Sequence, residues 1–218
     1  MNTILVVAKR PVPGHAKTRL IPGYGAGGAA RLAAAALRDT LRAALAVPDT
    51  RCTVAFHEYD WGPTAPAECD DLLRRCDVFL QTGTTFAERL ADAHRRAGPG
   101  PVLQIGMDTP QVTPELLAHG LDQLGAGTAV LGPALDGGWW ALGLHGGRGA
   151  EALLHVRMST PLTGADTRRA LRSAGLSVTM LAPLRDVDRP SDVSVVAAAC
   201  PPGSEFATTA RRLAVARL

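Results

Sequence analysis

Cysteine is scarce in this chain, and what there is forms no motif. Cys52, Cys69, Cys76 and Cys200 make no C-x-x-C pair and stand beside no histidine cluster, which argues against a zinc site. So sparse a thiol content in 218 residues suits a reducing compartment, and a cytoplasmic location is expected. No apolar run approaches the ~20 residues that span a bilayer, and the first residues enter a strand without the charged and apolar regions of a signal peptide. A membrane partner is therefore not expected. Neither sign of charge dominates: 23 basic against 20 acidic side chains leave +3, too mild for the concentrated basic face of a nucleic-acid binder. Neither a Walker loop, G-x-x-x-x-G-K-[ST], nor a G-x-G-x-x-G dinucleotide fingerprint is present. No linker-like stretch divides the chain. One domain over residues 1–200 is predicted, with a basic amphipathic helix over 201–218 packed on it after Pro201-Pro202-Gly203.

What is present alternates. Hydrophobic residues make up 46%, and short apolar runs are separated by helical patterns. Thr3–Ala8, Cys52–Phe56, Val78–Leu80, Val102–Ile105 and Ala129–Leu131 read as strands. Helices are predicted over 29–46, 86–97 and 114–124, and residues 57–70, with Trp61-Gly62-Pro63 and Pro66, as a loop into a short helix. Trp139–Leu144 reads as a strand entered through a tight glycine turn, followed by a helix over 164–174, a strand over 178–181 and a helix over 191–199. Strand and helix in alternation imply an α/β fold: a single three-layer α/β/α domain on a mostly parallel sheet, with an antiparallel member among the later strands.

Three segments carry chemistry. In Ile105-Gly106-Met107-Asp108-Thr109-Pro110 the glycine lets the backbone leave the fourth strand, which sets Asp108 at the C-terminal sheet edge where open α/β folds bind ligands. Asp108 is either a ligand for the magnesium of a nucleotide phosphate or a turn aspartate. The loop after the first strand holds Lys9, Arg10, Gly14, Lys17 and Arg19; its cations beside a central strand favour an anion cradle over a solvated basic loop. His15 shares that loop. Arg185-Asp186-Val187-Asp188-Arg189-Pro190-Ser191-Asp192 reads as a strand-to-helix turn in which Ser191 caps the helix, Asp192 favours its positive end, and Asp188 is free to meet a metal. Asp136-Gly137-Gly138 is a hairpin turn whose glycines would also let a ligand approach. Of Trp139 and Trp140, at least one should lie in the core. Ser159 and Thr160 read as capping residues.

The order K-R-P-x-P-G-x-A-K-T-R-L, G-M-D-T-P, G-P-A-x-D-G-G-W-W-x-L-G-L and D-V-D-R-P-S-D-V resembles a bacterial glycosyltransferase-A-like family in the nucleotide-diphospho-sugar transferase superfamily, from about Ile4 to Val193. The layout is similar to that of 2-phospholactate guanylyltransferase and the molybdenum-cofactor nucleotidyltransferases. The resemblance implies a nucleotide-binding transferase of that fold using Mg2+ or Mn2+, in which Ala8, Lys9, Arg10, Gly14, Lys17, Arg19 and Gly106 line the nucleotide. It further implies that Asp108 and Asp188 hold the metal, and that Asp136 lies by a small-molecule acceptor. The expected donor is an NTP whose NMP passes to a phosphate, phosphonate or carboxylate; the alternative donor is an NDP-sugar. A monomer or homodimer is expected. The chain departs from the family at Arg189, where threonine is usual, at Trp139-Trp140, where tyrosines are usual, and at Met158, where tryptophan is usual.

Overall fold

The sheet is what alternation demands. In a computed structural model describing residues 1–57 and 69–215, seven strands form one sheet. Most of the segment with Trp61, Gly62, Pro63 and Pro66 lies outside the described residues. The strands are β1 (Asn2–Ala8), β2 (Thr50–Phe56), β3 (Asp77–Leu80), β4 (Pro101–Gly106), β5 (Thr128–Pro133), β6 (Trp139–His145) and β7 (Ser177–Met180). Their order is β3-β2-β1-β4-β6-β5-β7. All neighbours are parallel except β6, which runs antiparallel to both β4 and β5. The central strands are almost continuously apolar because helices cover both faces.

One face carries α1 (Ile21–Leu45) and α4 (Pro114–Asp122) over Ile4, Val6, Val54, Leu103 and Ile105. The short α2 (Asp70–Leu73) lies against α1. The other face carries α3 (Phe86–Arg96), a 3-10 segment at Ala150–His155 and α5 (Thr163–Ser173), over Leu5, Val102, Leu131, Leu142 and Leu144. Outside α1, α6 (Pro190–Ala199) and α7 (Glu205–Val215) bury Val193, Val196 and Phe206 against Leu20, Leu32 and Ala36. The result is the three-layer α/β/α architecture on a mixed, mostly parallel sheet.

Asp39, on α1, fastens α7. Its carboxylate accepts from Ser204 Oγ (2.7 Å), Glu205 N (3.1 Å) and Phe206 N (2.8 Å), satisfying helix-end amides that α7 cannot pair itself.

One boundary and one element differ from expectation. α1 begins at Ile21, not near Ala29, with Pro22 in its first turn. Four glycines between 23 and 28 mimic a loop, yet only Gly25 leaves helical geometry, as a kink (φ 65°, ψ 166°). The 3-10 segment at 150–155 has no capping signal in the sequence and was not foreseen.

Candidate active site at the β1–β4 crevice

From β1 the chain moves outward through β2 and β3, then returns to β4 on the opposite side of β1. The loops after β1 and β4 therefore diverge, leaving a crevice at the C-terminal ends of two adjacent parallel strands, the place where such sheets take ligands.

The loop after β1 folds on itself before it reaches α1. His15 N and Ala16 N both donate to the Val12 carbonyl (3.1 Å each), Gly14 takes a positive φ, and Ala16 is buried. Lys17 follows in the left-handed region (φ 50°, ψ 46°) and heads a single 3-10 turn, Thr18–Leu20. That conformation is unfavourable for lysine and persists only where the surroundings enforce it. Here it sends Lys17 Nζ to Asp108 Oδ2, 2.9 Å away. Two residues on, Arg19 Nη1 meets Asp188 Oδ2 at 2.7 Å. Ala8 lies buried beneath, its carbonyl accepting from His57 N at 2.9 Å, and Lys9 N contacts Met107 Sδ at 3.2 Å. Lys9, Gly14 and His15 are exposed, and Arg10 is half-buried.

Gly106 has a steric duty. A Cβ there would stand 2.5 Å from Asp108 Oδ1, so any larger residue would push that carboxylate from its present position. After Asp108 the chain turns through buried Thr109 into α4, capped by Thr113, whose side chain accepts from Leu116 N. The same turn holds the late acidic segment: Val187 N donates to the Asp108 carbonyl (2.9 Å), and Gln111 Nε2 to the Arg185 carbonyl (2.6 Å). With Val187 buried, its neighbours Asp186 and Asp188 are left on the crevice side.

The helix start is built differently from expectation. Arg189, not Ser191, is the N-cap residue of α6, with Pro190 at the first helical position. Asp192 Oδ2 accepts from Arg189 N (2.7 Å) and Asp188 N (3.2 Å), while Oδ1 takes Arg185 Nη1 (3.1 Å). Ser191 is exposed.

Asp186 is the residue the sequence reading passed over. Burial, reinforced by the negative charges of Asp108 and Asp136, pushes its carboxyl up from 3.8 to about 6; Lys17 opposes the shift. Like charges crowded in a cleft do this, and such groups concentrate at functional sites. The residue could have been found from the D-V-D spacing, because alternate residues of an extended segment share a side.

Asp136 stands on the same rim in the β5–β6 hairpin, where its Oδ1 accepts from Gly138 N at 2.8 Å. The glycines of that turn admit protein rather than ligand. A Cβ on Gly137 would overlap the Pro161 carbonyl, and Gly164 N donates to the Gly137 carbonyl at 2.8 Å. Trp140 is a core residue, with Nε1 donating to the Ala182 carbonyl (3.0 Å) and its ring over Gly132. Trp139 is half-buried against the α5-side core. The start of α5 is also differently capped. Leu162 is its N-cap; Thr160 Oγ1 accepts from Leu162 N, and Thr163 Oγ1 from Thr160 N.

Among the described residues no three His, Cys, Asp or Glu side chains form a metal cage. Magnesium at a nucleotide needs fewer, because phosphates and water complete its octahedron around one or two carboxylates. The chemistry of Asp108 and Asp186 fits such an ion, and the like charges that add to burial in raising Asp186 are what a cation would offset. No helix among the described residues is long and apolar enough to cross a membrane.

Solved structures share this architecture. A candidate nucleotide-diphospho-sugar transferase from Desulfovibrio desulfuricans G20 is 26% identical over 97% of both chains, with a TM-score of 0.83. A nucleotidyl transferase from Methanothermobacter thermautotrophicus is 17% identical, covering 88% of this chain and 94% of that one (TM-score 0.58). A 4-diphosphocytidyl-2C-methyl-D-erythritol synthase from Anaerococcus prevotii DSM 20548 is 11% identical over 90% and 94% (TM-score 0.59). The fold is thus that of the nucleotide-diphospho-sugar transferases. No curated protein matches the sequence. The family match covers residues 40–160, more than half the chain, and takes in Asp108 and Asp136: this protein belongs to DUF2064, the family described as an uncharacterized protein conserved in bacteria.

Proposed function

We propose that the chain is a metal-assisted nucleotidyltransferase that moves NMP from an NTP to a small phosphate, phosphonate or carboxylate acceptor. The observation that carries this reading is the Lys17–Asp108 pair, 2.9 Å apart at the β1–β4 crevice: a phosphate-binding cation and a metal-binding carboxylate presented side by side. The loop from Lys9 to Arg19 would line the triphosphate, with Lys17 and Arg19 leaving their aspartates to neutralise it. Asp108 and Asp186 would hold Mg2+ or Mn2+, and Asp188, released by Arg19, is a further oxygen donor. The ion would supply charge neutralisation of the phosphates. The protein's own part is position and electrostatics: it fixes the α-phosphorus opposite the acceptor, which attacks in line and expels pyrophosphate. Asp136, on the β5–β6 side of the crevice, would face the acceptor. The names of the Methanothermobacter and Anaerococcus proteins accord with this chemistry, as analogy of fold.

A second reading is favoured by the name of the Desulfovibrio protein. In it the donor is an NDP-sugar, and Asp136 acts as general base for an acceptor hydroxyl. Products separate the two. Coupled assays over a panel of NTPs and NDP-sugars with Mg2+ and mixed acceptors should release pyrophosphate, and Asp108→Asn should abolish that release. Nucleoside diphosphate alone, lost in Asp136→Asn, would establish the second reading instead.

A further inference from the structure

Two of the four cysteines meet far from the crevice. Cys52 lies on β2, and Cys76 immediately precedes β3. The parallel register pairs Thr53 with Asp77, so Cys52 and Cys76 are the next cross-strand neighbours below it. Adjacent strands lie ~4.8 Å apart, inside the ~4.4–6.8 Å Cα separation that a disulfide bridges. The sulfurs touch at 3.4 Å. Cys52 is buried in the α1-side core, while Cys76 is partly open to solvent.

We infer that Cys52 and Cys76 form a reversible dithiol–disulfide site, oxidised by low-molecular-weight disulfides. The division of labour follows from exposure: Cys76 can be reached and Cys52 cannot. The two titrations agree with it. The neighbouring Cys52 thiol, then Arg75, hold Cys76 below its ordinary value, whereas contact with Cys76 and burial push Cys52 up. Cys76 as thiolate attacks one sulfur of the small disulfide RSSR, breaking its S–S bond and expelling RS⁻. Cys52 then passes its proton to the expelled RS⁻ and attacks Sγ of Cys76. This breaks the mixed disulfide and expels the second RS⁻. Two protein thiols are oxidised to one disulfide, and one RSSR is reduced to two RSH. The bridge closes a loop over residues 53–75 and ties the edge strand β3 to β2. Cys69 is fully buried with Sγ toward the Ala34 carbonyl at 3.9 Å, and burial lifts Cys200 to about 11; neither belongs to the pair.

The test uses the folded full-length protein and oxidised glutathione. Peptide mapping without reductant should find a 52–76 crosslink. The intact mass should fall by two hydrogens with no glutathione retained, two titratable thiols should be lost, and dithiothreitol should restore all four. Cys52→Ser should trap glutathione on Cys76, and Cys76→Ser should leave Cys52 unmodified. Four intact thiols after treatment, a stable glutathione adduct on wild-type Cys76, or a bridge to Cys69 or Cys200 overturns the inference. Should either variant fail to fold, the wild-type map decides alone.

Discussion

The amide of Val187 donates to the carbonyl of Asp108 at 2.9 Å. This one backbone bond holds the late acidic segment against the turn after β4. There burial, with the negative charges of Asp108 and Asp136 added to it, raises the carboxyl of Asp186 to about 6. An acid whose folded-state value exceeds its unfolded one binds more protons when folded, so stability falls as pH rises between about 4 and about 6. Asp186→Asn should therefore raise the melting temperature of the ligand-free protein at pH 7 and flatten its pH dependence across that window. The same variant should bind nucleotide with Mg2+ more weakly. Melting curves from pH 4 to 7 check the first part, and titration calorimetry the second; an unchanged slope would remove Asp186 from the cluster.

Lys17→Ala and Arg19→Ala should weaken nucleotide binding more with every added phosphate. Each lost charge-assisted contact is expected to cost about 1.5–3 kcal/mol, or roughly 10- to 150-fold in Kd. Equal losses for a nucleoside and its triphosphate would show that the loop does not read phosphate.

Gly137→Ala should disturb the rim that carries Asp136. Its positive φ and the Pro161 carbonyl leave no room for a methyl group, so the turn carrying Asp136 must shift. Substrate turnover should fall while nucleotide affinity at the Lys17 side is retained. Dissociation constants and turnover measured together test that split.

Asp39→Ala should destabilise the chain by on the order of 2–3 kcal/mol, because three donors at the start of α7 lose a buried acceptor. Urea denaturation measures this. Nucleotide affinity under native conditions should not change.

Much of the fold was legible because strands covered on both faces leave nearly continuous apolar runs, as in Ile4–Ala8 and, but for Gln104, Val102–Ile105. The position of Asp108 was legible too, since strand, glycine and helix cap are all local signals. What failed was in part local and in part dependent on contacts distant in sequence. Glycines at 23–28 sit in or beside a helix that the 187–210 region covers. Ser191 lost the cap because Pro190 at the first helical position makes Arg189 the cap residue, with Asp192 reaching back to its amide. Asp186 gave no local sign of its burial beside Asp108 and Asp136, which only the fold brings about.

Lys17–Asp108 and Arg19–Asp188 make the crevice its own counterion. A triphosphate arriving alone would take the two basic side chains and strand two aspartates; a divalent ion arriving alone would do the reverse. Each ligand by itself leaves one half of these two ion pairs without its counter-charge, and their joint arrival covers all four side chains again. Under the proposed chemistry, metal and nucleotide should therefore bind with mutual synergy, each tightening the other by the same factor. Lys17→Ala, which leaves Asp108 uncovered from the outset, should shrink that factor from the metal's side.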